Sequence, residues 1–91
     1  MKTLIIIDVQ NDFMPEGSLP VPQGNRIVPV INAILCKFDL VLATQDWHPY
    51  GHKSFASSHK DKKVFDTIQL HGVEQVLWPD HCVQDTPGAS F

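Results

Sequence analysis

Two short apolar runs, each closed by an aspartate, dominate the hydrophobic pattern of the chain. TLIII at residues 3–7 is followed by Asp8, and FDLVLATQ at residues 38–45 is followed by Asp46. Short runs of branched aliphatic residues without polar alternation predict strands that are buried on both faces, as in a parallel sheet.

Between the two runs, residues 25–38 carry the spacing of an amphipathic helix. Asn25 is the predicted N-cap, and Pro29 is tolerable because the first turn of a helix has few bonded N–H groups. A strand, a helix and a strand in this order predict a right-handed βαβ unit with parallel strands. The apolar stripe of the helix consists of Ile27, Val30, Ile31, Ile34, Leu35 and Phe38.

The remaining segments predict loops and small pieces of secondary structure. Residues 10–24 contain three prolines and two glycines, residues 46–63 are polar, and residues 64–91 have weak periodicity with mixed turn signals. The fold class is therefore α/β, a parallel sheet with flanking helices. Two strands and one helix leave a sheet edge bare, so we expect residues 1–91 to be the amino-terminal part of a single domain.

Composition excludes several classes of protein. The 91 residues are 43% hydrophobic with a formal charge of −3, which suits a small globular domain and offers no basic stripe for nucleic acid. The apolar run LIII is too short for a signal peptide or a membrane span. Two cysteines without a CxxC pair predict a reducing setting, and we expect the cytoplasm.

The two strand-terminal aspartates are the first candidates for chemistry. Parallel strands bring Asp8 and Asp46 to the same carboxyl edge of the sheet, where open α/β sheets form their ligand crevices. The alternative is that each aspartate only begins a loop, as this residue type often does.

Asp46 also begins a segment that is rich in metal-binding residue types. Asp46 and His48 project to the same side of an extended chain, His52 follows four residues later, and His81 comes from a distant loop. Aspartate with histidines suits zinc, iron or manganese and leaves coordination positions open. The alternative is a hydrogen-bonded surface pair without metal.

The other histidines and the cysteines have simpler interpretations. Cys82 adjoins His81, but neighbours in an extended chain point to opposite sides, so His81 is not placed to activate the thiol. We expect Cys36 and Cys82 to be packed and inert. His59 is predicted to be solvated and His71 to lie in a turn.

Three segments of the chain resemble a known family. LIIIDVQNDFMPEGSLPV, ATQDWHPYGHKSFAS and LWPDHCVQDTPGASF resemble, in this order, the amino-terminal half of the nicotinamidases, a branch of the isochorismatase-like hydrolases. The resemblance extends through essentially the whole chain, and DWHP and WPDHC favour the metal-containing branch. It implies a Rossmann-like three-layer fold, a parallel sheet flanked by helices.

The resemblance implies a divalent metal ion held by Asp46, His48 and His81. Zinc is the first expectation, with iron and manganese as alternatives. His52 is a fourth ligand in some members of the family and stays open here. In the family the metal orients the pyridine ring of the substrate through its nitrogen.

The resemblance also implies the reaction, which is hydrolysis of nicotinamide to nicotinate and ammonia in NAD salvage. Asp8 corresponds to the catalytic aspartate that accepts a proton from the nucleophilic thiol and later returns it. Phe13 and Trp78 correspond to the aromatic walls that hold the pyridine ring, a contact that suits flat ligands.

The chain departs from the family pattern in one respect that matters for activity. The lysine and the nucleophilic cysteine of the family lie beyond the last matched residue, and neither Cys36 nor Cys82 matches the nucleophile. We therefore expect the 91-residue chain alone to be inactive. Two alternatives stay open: a non-catalytic metal- and pyridine-binding module, and a half-domain that needs a carboxy-terminal half or a second copy.

Overall fold

The computed structural model describes residues 1–91 and contains the expected βαβ unit. Strand β1 (Thr3–Ile7), helix α1 (Ile27–Ile34) and strand β2 (Leu40–Thr44) follow one another along the chain. β1 and β2 are parallel neighbours, with Cα partners running from Thr3 and Leu40 to Ile7 and Thr44. The parallel sheet with a helical connection agrees with the predicted α/β fold class.

Helix α1 is shorter than the predicted helix because 3₁₀ turns replace both of its ends. The turns span Gly24–Arg26 and Leu35–Lys37. The predicted N-cap at Asn25 is wrong, because Arg26 precedes the helix and no side chain caps it. The preceding 3₁₀ turn replaces the cap, since its backbone carbonyls accept the Ile27 N–H. No helix is long enough and apolar enough to traverse a bilayer.

The prediction that both strands are buried is wrong for this structure. β2 is exposed along its whole length, and Ile5 and Ile7 of β1 are 58% and 69% exposed. A sheet of two strands has no neighbours to cover it, and α1 packs mainly on the 3₁₀ turns at its ends. The radius of gyration is 15.8 Å, whereas a compact chain of this length has about 12 Å.

A hairpin forms in the second half of the chain, where the sequence indicated only short pieces. Strands β3 (Thr67–Leu70) and β4 (Val73–Val76) are antiparallel. His71 and Gly72 connect them with φ values of 51° and 78°, which is the positive-φ geometry of a two-residue type I′ turn. His71 is a turn residue, as predicted.

The best-packed part of the molecule lies among loops and not under the sheet. The loop after β2 and the loop after β4 contact each other through two isolated parallel bridges, one between His48 and Val83 and one between Phe55 and Trp78. This pairing holds the two loops side by side next to the carboxyl edge of β2. The buried residues are Phe55, Ala56, Leu77, Cys82 and Ala89, with the polar Gln10, Ser54 and His81.

Candidate metal centre

Three predicted ligands meet just beyond the carboxyl end of β2. The Asp46 carboxylate lies between two imidazoles, with Oδ1 at 3.0 Å from His48 Nε2 and Oδ2 at 3.3 Å from His81 Nε2. One ligand atom from each residue lies within 4.8 Å of the other two. The sequence expectation that a distant loop supplies a residue to the Asp-x-His segment agrees with this geometry.

Backbone pairing between the two loops places the histidines. The His48 N–H donates to the Cys82 carbonyl at 2.9 Å, and the Gln84 N–H donates to the His48 carbonyl at 2.8 Å. These bonds are those of a short parallel ladder. His48 and His81 consequently face each other with ring centroids 4.9 Å apart.

The His81 ring is oriented by a second contact. Its side chain is almost completely buried, and Nδ1 lies 2.8 Å from the Pro79 carbonyl oxygen. A carbonyl can only accept, so Nδ1 of the neutral ring carries the proton and Nε2 keeps its lone pair toward Asp46. Metal-binding histidines are commonly held in this way.

Gln10 fixes the backbone of Asp46 from the other side, a role that the sequence analysis missed. Its Nε2 donates to the Asp46 and Ala89 carbonyls at 2.8 Å, and its Oε1 accepts the Asp46 N–H at 2.8 Å. Gln10 is only 1% exposed. In the sequence it is one polar residue among several in a loop, and nothing local marks it as buried.

The donor set fits a divalent metal ion. In a tetrahedral zinc site with bonds of about 2.1 Å, neighbouring ligand atoms lie roughly 3.4 Å apart, and the two carboxylate–imidazole distances are 3.0 and 3.3 Å. One carboxylate and two imidazoles suit zinc and leave at least one coordination position open, as catalytic sites require.

His52 lies beside this cluster without joining it. Its ring centroid is 5.0 Å from that of His48, and its Nδ1 contacts the Ser54 hydroxyl at 2.7 Å and accepts the Ser54 N–H at 3.1 Å. His59, predicted to be solvated, is instead half-buried with Nε2 at 2.7 Å from the Lys53 carbonyl oxygen.

A cavity of about 490 Å³ opens over the three converging residues. Phe13 and Trp78, the predicted aromatic walls, both line it together with Asp46, His48 and His81. A volume of this size accepts a small aromatic ligand. Three further lining residues were not predicted from the sequence, and they are Leu19, Ser54 and Gln75.

Asp8 lies at the same edge of the sheet but does not line the cavity. It follows the last residue of β1 and has a φ of 53°. Its carboxylate Oδ1 accepts the Thr44 hydroxyl at 2.6 Å, and its N–H lies 3.0 Å from the same hydroxyl oxygen. These contacts hold the carboxylate at the end of β2.

The two cysteines differ in their surroundings. Cys82 is fully buried, and burial together with the carboxylates of Asp46, Asp12 and Asp8 raises the pKa of its thiol to about 12. It is packed and protonated, as expected, although its φ of 48° is not extended. The prediction that Cys36 is packed is wrong, because α1 ends before it and the thiol is exposed.

Comparisons with known proteins give one consistent result. No family model matches the chain. It is 55% identical over 88 residues to the nicotinamidase of Acinetobacter baylyi, an alignment that covers 97% of the chain and 41% of the relative. It is 44% identical over 94 residues to the nicotinamidase of Escherichia coli, an alignment that covers 99% of the chain and 44% of that relative.

Solved structures agree with the sequence relatives. A nicotinamidase/pyrazinamidase of Acinetobacter baumannii superposes with a TM-score of 0.89 at 48% identity, covering 98% of this chain and 43% of that one. Yeast nicotinamidase bound to the inhibitor nicotinaldehyde superposes with a TM-score of 0.87 at 41% identity, and the match covers 98% of this chain and 47% of the yeast chain. Pyrococcus horikoshii pyrazinamidase in complex with zinc superposes with a TM-score of 0.73 at 43% identity, and the match covers 98% of this chain and 43% of the Pyrococcus chain.

The matches extend along nearly the whole chain, and the chain spans less than half the length of the curated relatives. Both the sequence identity and the superposition apply to the βαβ unit and to the loops that carry the three converging residues. The chain therefore belongs to the nicotinamidase family of isochorismatase-like hydrolases and corresponds to the amino-terminal part of its members.

Proposed function

We propose that this chain supplies the metal- and pyridine-binding part of an amidase that hydrolyses nicotinamide to nicotinate and ammonia. The observation that carries the proposal is the convergence of Asp46, His48 and His81 on the cavity that Phe13 and Trp78 line. A site for a cation and two aromatic walls in one cavity matches a pyridine ring with a basic nitrogen. Nicotinamide is such a ligand.

In this proposal Asp46, His48 and His81 hold a divalent ion, with zinc as the first choice. A bound ion of this kind acts as a Lewis acid and orients a ligand. Zinc is supported by the solved complex of the Pyrococcus horikoshii pyrazinamidase and by the chemistry of one carboxylate with two imidazoles. Iron and manganese accept the same ligands.

The aromatic side chains restrain the ring of the substrate. Phe13 and Trp78 reach the cavity from different parts of the chain, the 3₁₀ turn Asn11–Phe13 and the loop after β4. Contacts with two rings favour a flat ligand over an aliphatic amide of the same polarity.

Asp8 is the proposed proton acceptor for a nucleophilic thiol. Its bond with Thr44 leaves one carboxylate oxygen, Oδ2, free of side-chain partners and able to take a proton. The thiol does not come from Cys82, whose burial and acidic neighbours keep it protonated, nor from Cys36, which is exposed on the turn after α1.

We further propose that catalysis needs a second polypeptide segment that carries the nucleophile. The exposed apolar side chains of the parallel sheet, among them Ile5, Ile7 and Leu42, offer a surface for this segment. A second copy of the chain is the alternative occupant. The chain alone is then a metal- and pyridine-binding module without turnover, acting in NAD salvage in the cytoplasm, where Cys36 and Cys82 stay as free thiols.

The first experiment measures metal binding. The chain is freed of metal with a chelator and titrated with zinc by calorimetry, and its thermal unfolding is followed in parallel. At free zinc of 100 times Kd, binding adds about 2.7 kcal/mol to the free energy of unfolding. Asp46→Ala and His81→Ala abolish this gain, whereas His71→Ala, in the exposed hairpin turn, retains it. A parent chain without zinc affinity refutes the proposal.

The second experiment measures ligand binding and turnover separately. Nicotinamide quenches tryptophan fluorescence in the zinc-loaded parent and fails to do so in Trp78→Leu, while Trp47→Leu is the matched control outside the cavity. Ammonia release from nicotinamide is absent with the chain alone. It appears when the remaining carboxy-terminal part of a homologous nicotinamidase is added. Turnover by the chain alone contradicts the assignment of the nucleophile.

A further inference from the structure

We propose that Asp12 is a positioning residue for the metal centre, and that it acts by holding the His81–Cys82 turn so that His81 and His48 face Asp46 together. This inference rests on the proposed metal-binding function. Asp12 does not line the cavity and is not among the three converging residues. Its role follows from the backbone that its carboxylate binds.

The contact is a hydrogen bond across seventy residues of sequence. Asp12 Oδ2 accepts the Cys82 N–H at 2.8 Å, while Oδ1 accepts the Ser18 N–H at a longer 3.4 Å. A carboxylate is a stronger acceptor than a backbone carbonyl, so this bond fixes the peptide between His81 and Cys82 firmly. That peptide is one bond from the Cα that carries the His81 imidazole.

The bond matters because the turn is conformationally disfavoured. Cys82 has a φ of 48°, a region that residues with a Cβ rarely adopt. Without the carboxylate, the buried Cys82 N–H has no protein partner and the backbone is free to relax toward negative φ. Relaxation turns the His81 side chain away from Asp46.

The same turn also governs His48. The Cys82 carbonyl accepts the His48 N–H at 2.9 Å. One residue therefore receives the Asp12 carboxylate at its N–H and supports His48 at its carbonyl. Asp12 reaches both histidine ligands through a single peptide segment, and the two rings lie on either side of the Asp46 carboxylate.

A glycine reserves the space that Asp12 occupies. A Cβ built at Gly88 would overlap the Asp12 carboxylate, and the backbone at Gly88 does not have a positive φ that would itself demand glycine. The end of a side chain moves more easily than backbone, so Gly88→Ala displaces the Asp12 carboxylate from Cys82. The chain thus offers a way to break the contact without changing Asp12.

The experiment compares zinc affinity in the parent, Asp12→Ala, Gly88→Ala and the double variant by calorimetry. We expect each single variant to bind zinc about 10–100-fold more weakly than the parent, the range typical of residues that orient metal ligands. The double variant binds no more weakly than Asp12→Ala, because Gly88→Ala acts only through Asp12. Asp66→Ala, which removes a carboxylate that accepts the Lys63 N–H, keeps the parent affinity.

A second readout follows the contact itself without metal. Amide hydrogen exchange at Cys82, resolved by NMR, is slow in the metal-free parent and in Asp66→Ala and faster in Asp12→Ala and Gly88→Ala. Circular dichroism verifies that each variant is folded. Should Asp12→Ala fail to fold, Asp12→Asn and Gly88→Ala provide the same comparison, because both weaken the contact while keeping a side chain of nearly the same size at position 12.

The outcomes separate this inference from the proposed function. Zinc affinity in Asp12→Ala within twofold of the parent overturns the positioning role and leaves the metal centre intact. If the losses of zinc affinity in the two single variants add up in the double variant, Gly88→Ala does not act through Asp12, and that part of the inference is overturned. Absence of zinc binding in the parent refutes the metal centre and the positioning role together, whatever the exchange rate at Cys82.

Discussion

Thr44 and Asp8 exchange hydrogen bonds at the carboxyl edge of the sheet. The Thr44 hydroxyl donates to the Asp8 carboxylate at 2.6 Å, and the Asp8 N–H lies 3.0 Å from the same hydroxyl oxygen. The two strands are in register up to the pair Ile7 and Thr44. The contact therefore ends the parallel ladder and holds Asp8 in a left-handed conformation with a φ of 53°.

This conformation gives a prediction about stability. At most positions glycine is less stabilising than alanine, because the unfolded chain is freer. At Asp8 we expect the opposite order: Asp8→Gly unfolds at a higher urea concentration than Asp8→Ala, by about 1 kcal/mol in free energy, because only alanine pays for a Cβ at positive φ. Urea denaturation followed by circular dichroism measures the difference.

The control pair for this prediction is Thr3→Gly and Thr3→Ala at the other end of β1, where φ is not positive. There the alanine variant is the more stable one. An order at Asp8 identical to that at Thr3 would mean that the left-handed conformation stores no strain. The proposed catalytic role of Asp8 would then lose one physical reason for its fixed geometry.

Much of the site was predictable because its ligands follow from strand topology and residue type. Asp46 and His48 lie beyond the end of a strand, and the sheet places that end at a ligand-binding edge. His81 was harder to derive, since it comes from a loop with little periodicity. Its residue type made it a candidate ligand, the resemblance of WPDHC to a family assigned it to the metal, and the converging geometry agrees.

The supporting residues were not predictable, since their roles depend on contacts between distant segments. Gln10 and Asp12 are ordinary polar loop residues in the sequence, yet they bind the backbone of Asp46 and Cys82. Burial of the strands was predicted from their apolar runs and is absent. An apolar run indicates that a strand needs other strands or helices to cover its side chains, and within these 91 residues no element covers β2.

Gln10 gives a second prediction. Gln10→Leu keeps the approximate volume but removes the partners of the Asp46 N–H and the Asp46 carbonyl, while the Ala89 carbonyl keeps Gln45 Nε2 as a donor. Each buried polar group left without a partner costs about 1–3 kcal/mol. We expect a loss of several kcal/mol in the free energy of unfolding, close to the whole stability of a small domain, and urea denaturation measures it.

The matched control is Gln69→Leu, at an exposed position of β3. A surface substitution of this kind changes stability by less than about 0.5 kcal/mol. A loss at Gln10 no greater than the loss at Gln69 would show that the Gln10 hydrogen bonds are replaced by water. The backbone of Asp46 would then be less rigid than its contacts indicate.

The two thiols give a third prediction, about reactivity. A thiolate is the reactive form of cysteine. Cys82 is buried with a pKa raised to about 12, whereas Cys36 is exposed. Ellman's reagent at pH 8 therefore modifies one thiol per folded chain and two in denaturant. Cys36→Ser reduces the folded count to zero. A count of two in the folded parent would contradict the packing around Cys82.

The same thiol makes stability depend on pH in alkali. The pKa of Cys82 is about 12 in the folded chain against an ordinary value of 9.0, so the folded state holds a proton that the unfolded state releases. The contribution of this proton to the free energy of unfolding is fully present below about pH 9. It declines as the pH rises toward 12, by up to about 1.4 kcal/mol per pH unit.

The measurement is urea denaturation of metal-free protein at several pH values between about 8 and 11, which include the start of the expected decline in the free energy of unfolding. The relevant quantity is the difference in slope between the parent and Cys82→Ala, because this difference isolates the contribution of the Cys82 thiol. The parent loses stability more steeply, because alanine has no proton to release, and Cys36→Ala keeps the slope of the parent. Parallel curves for the parent and Cys82→Ala would place the Cys82 thiol in contact with solvent, contrary to its burial among three carboxylates.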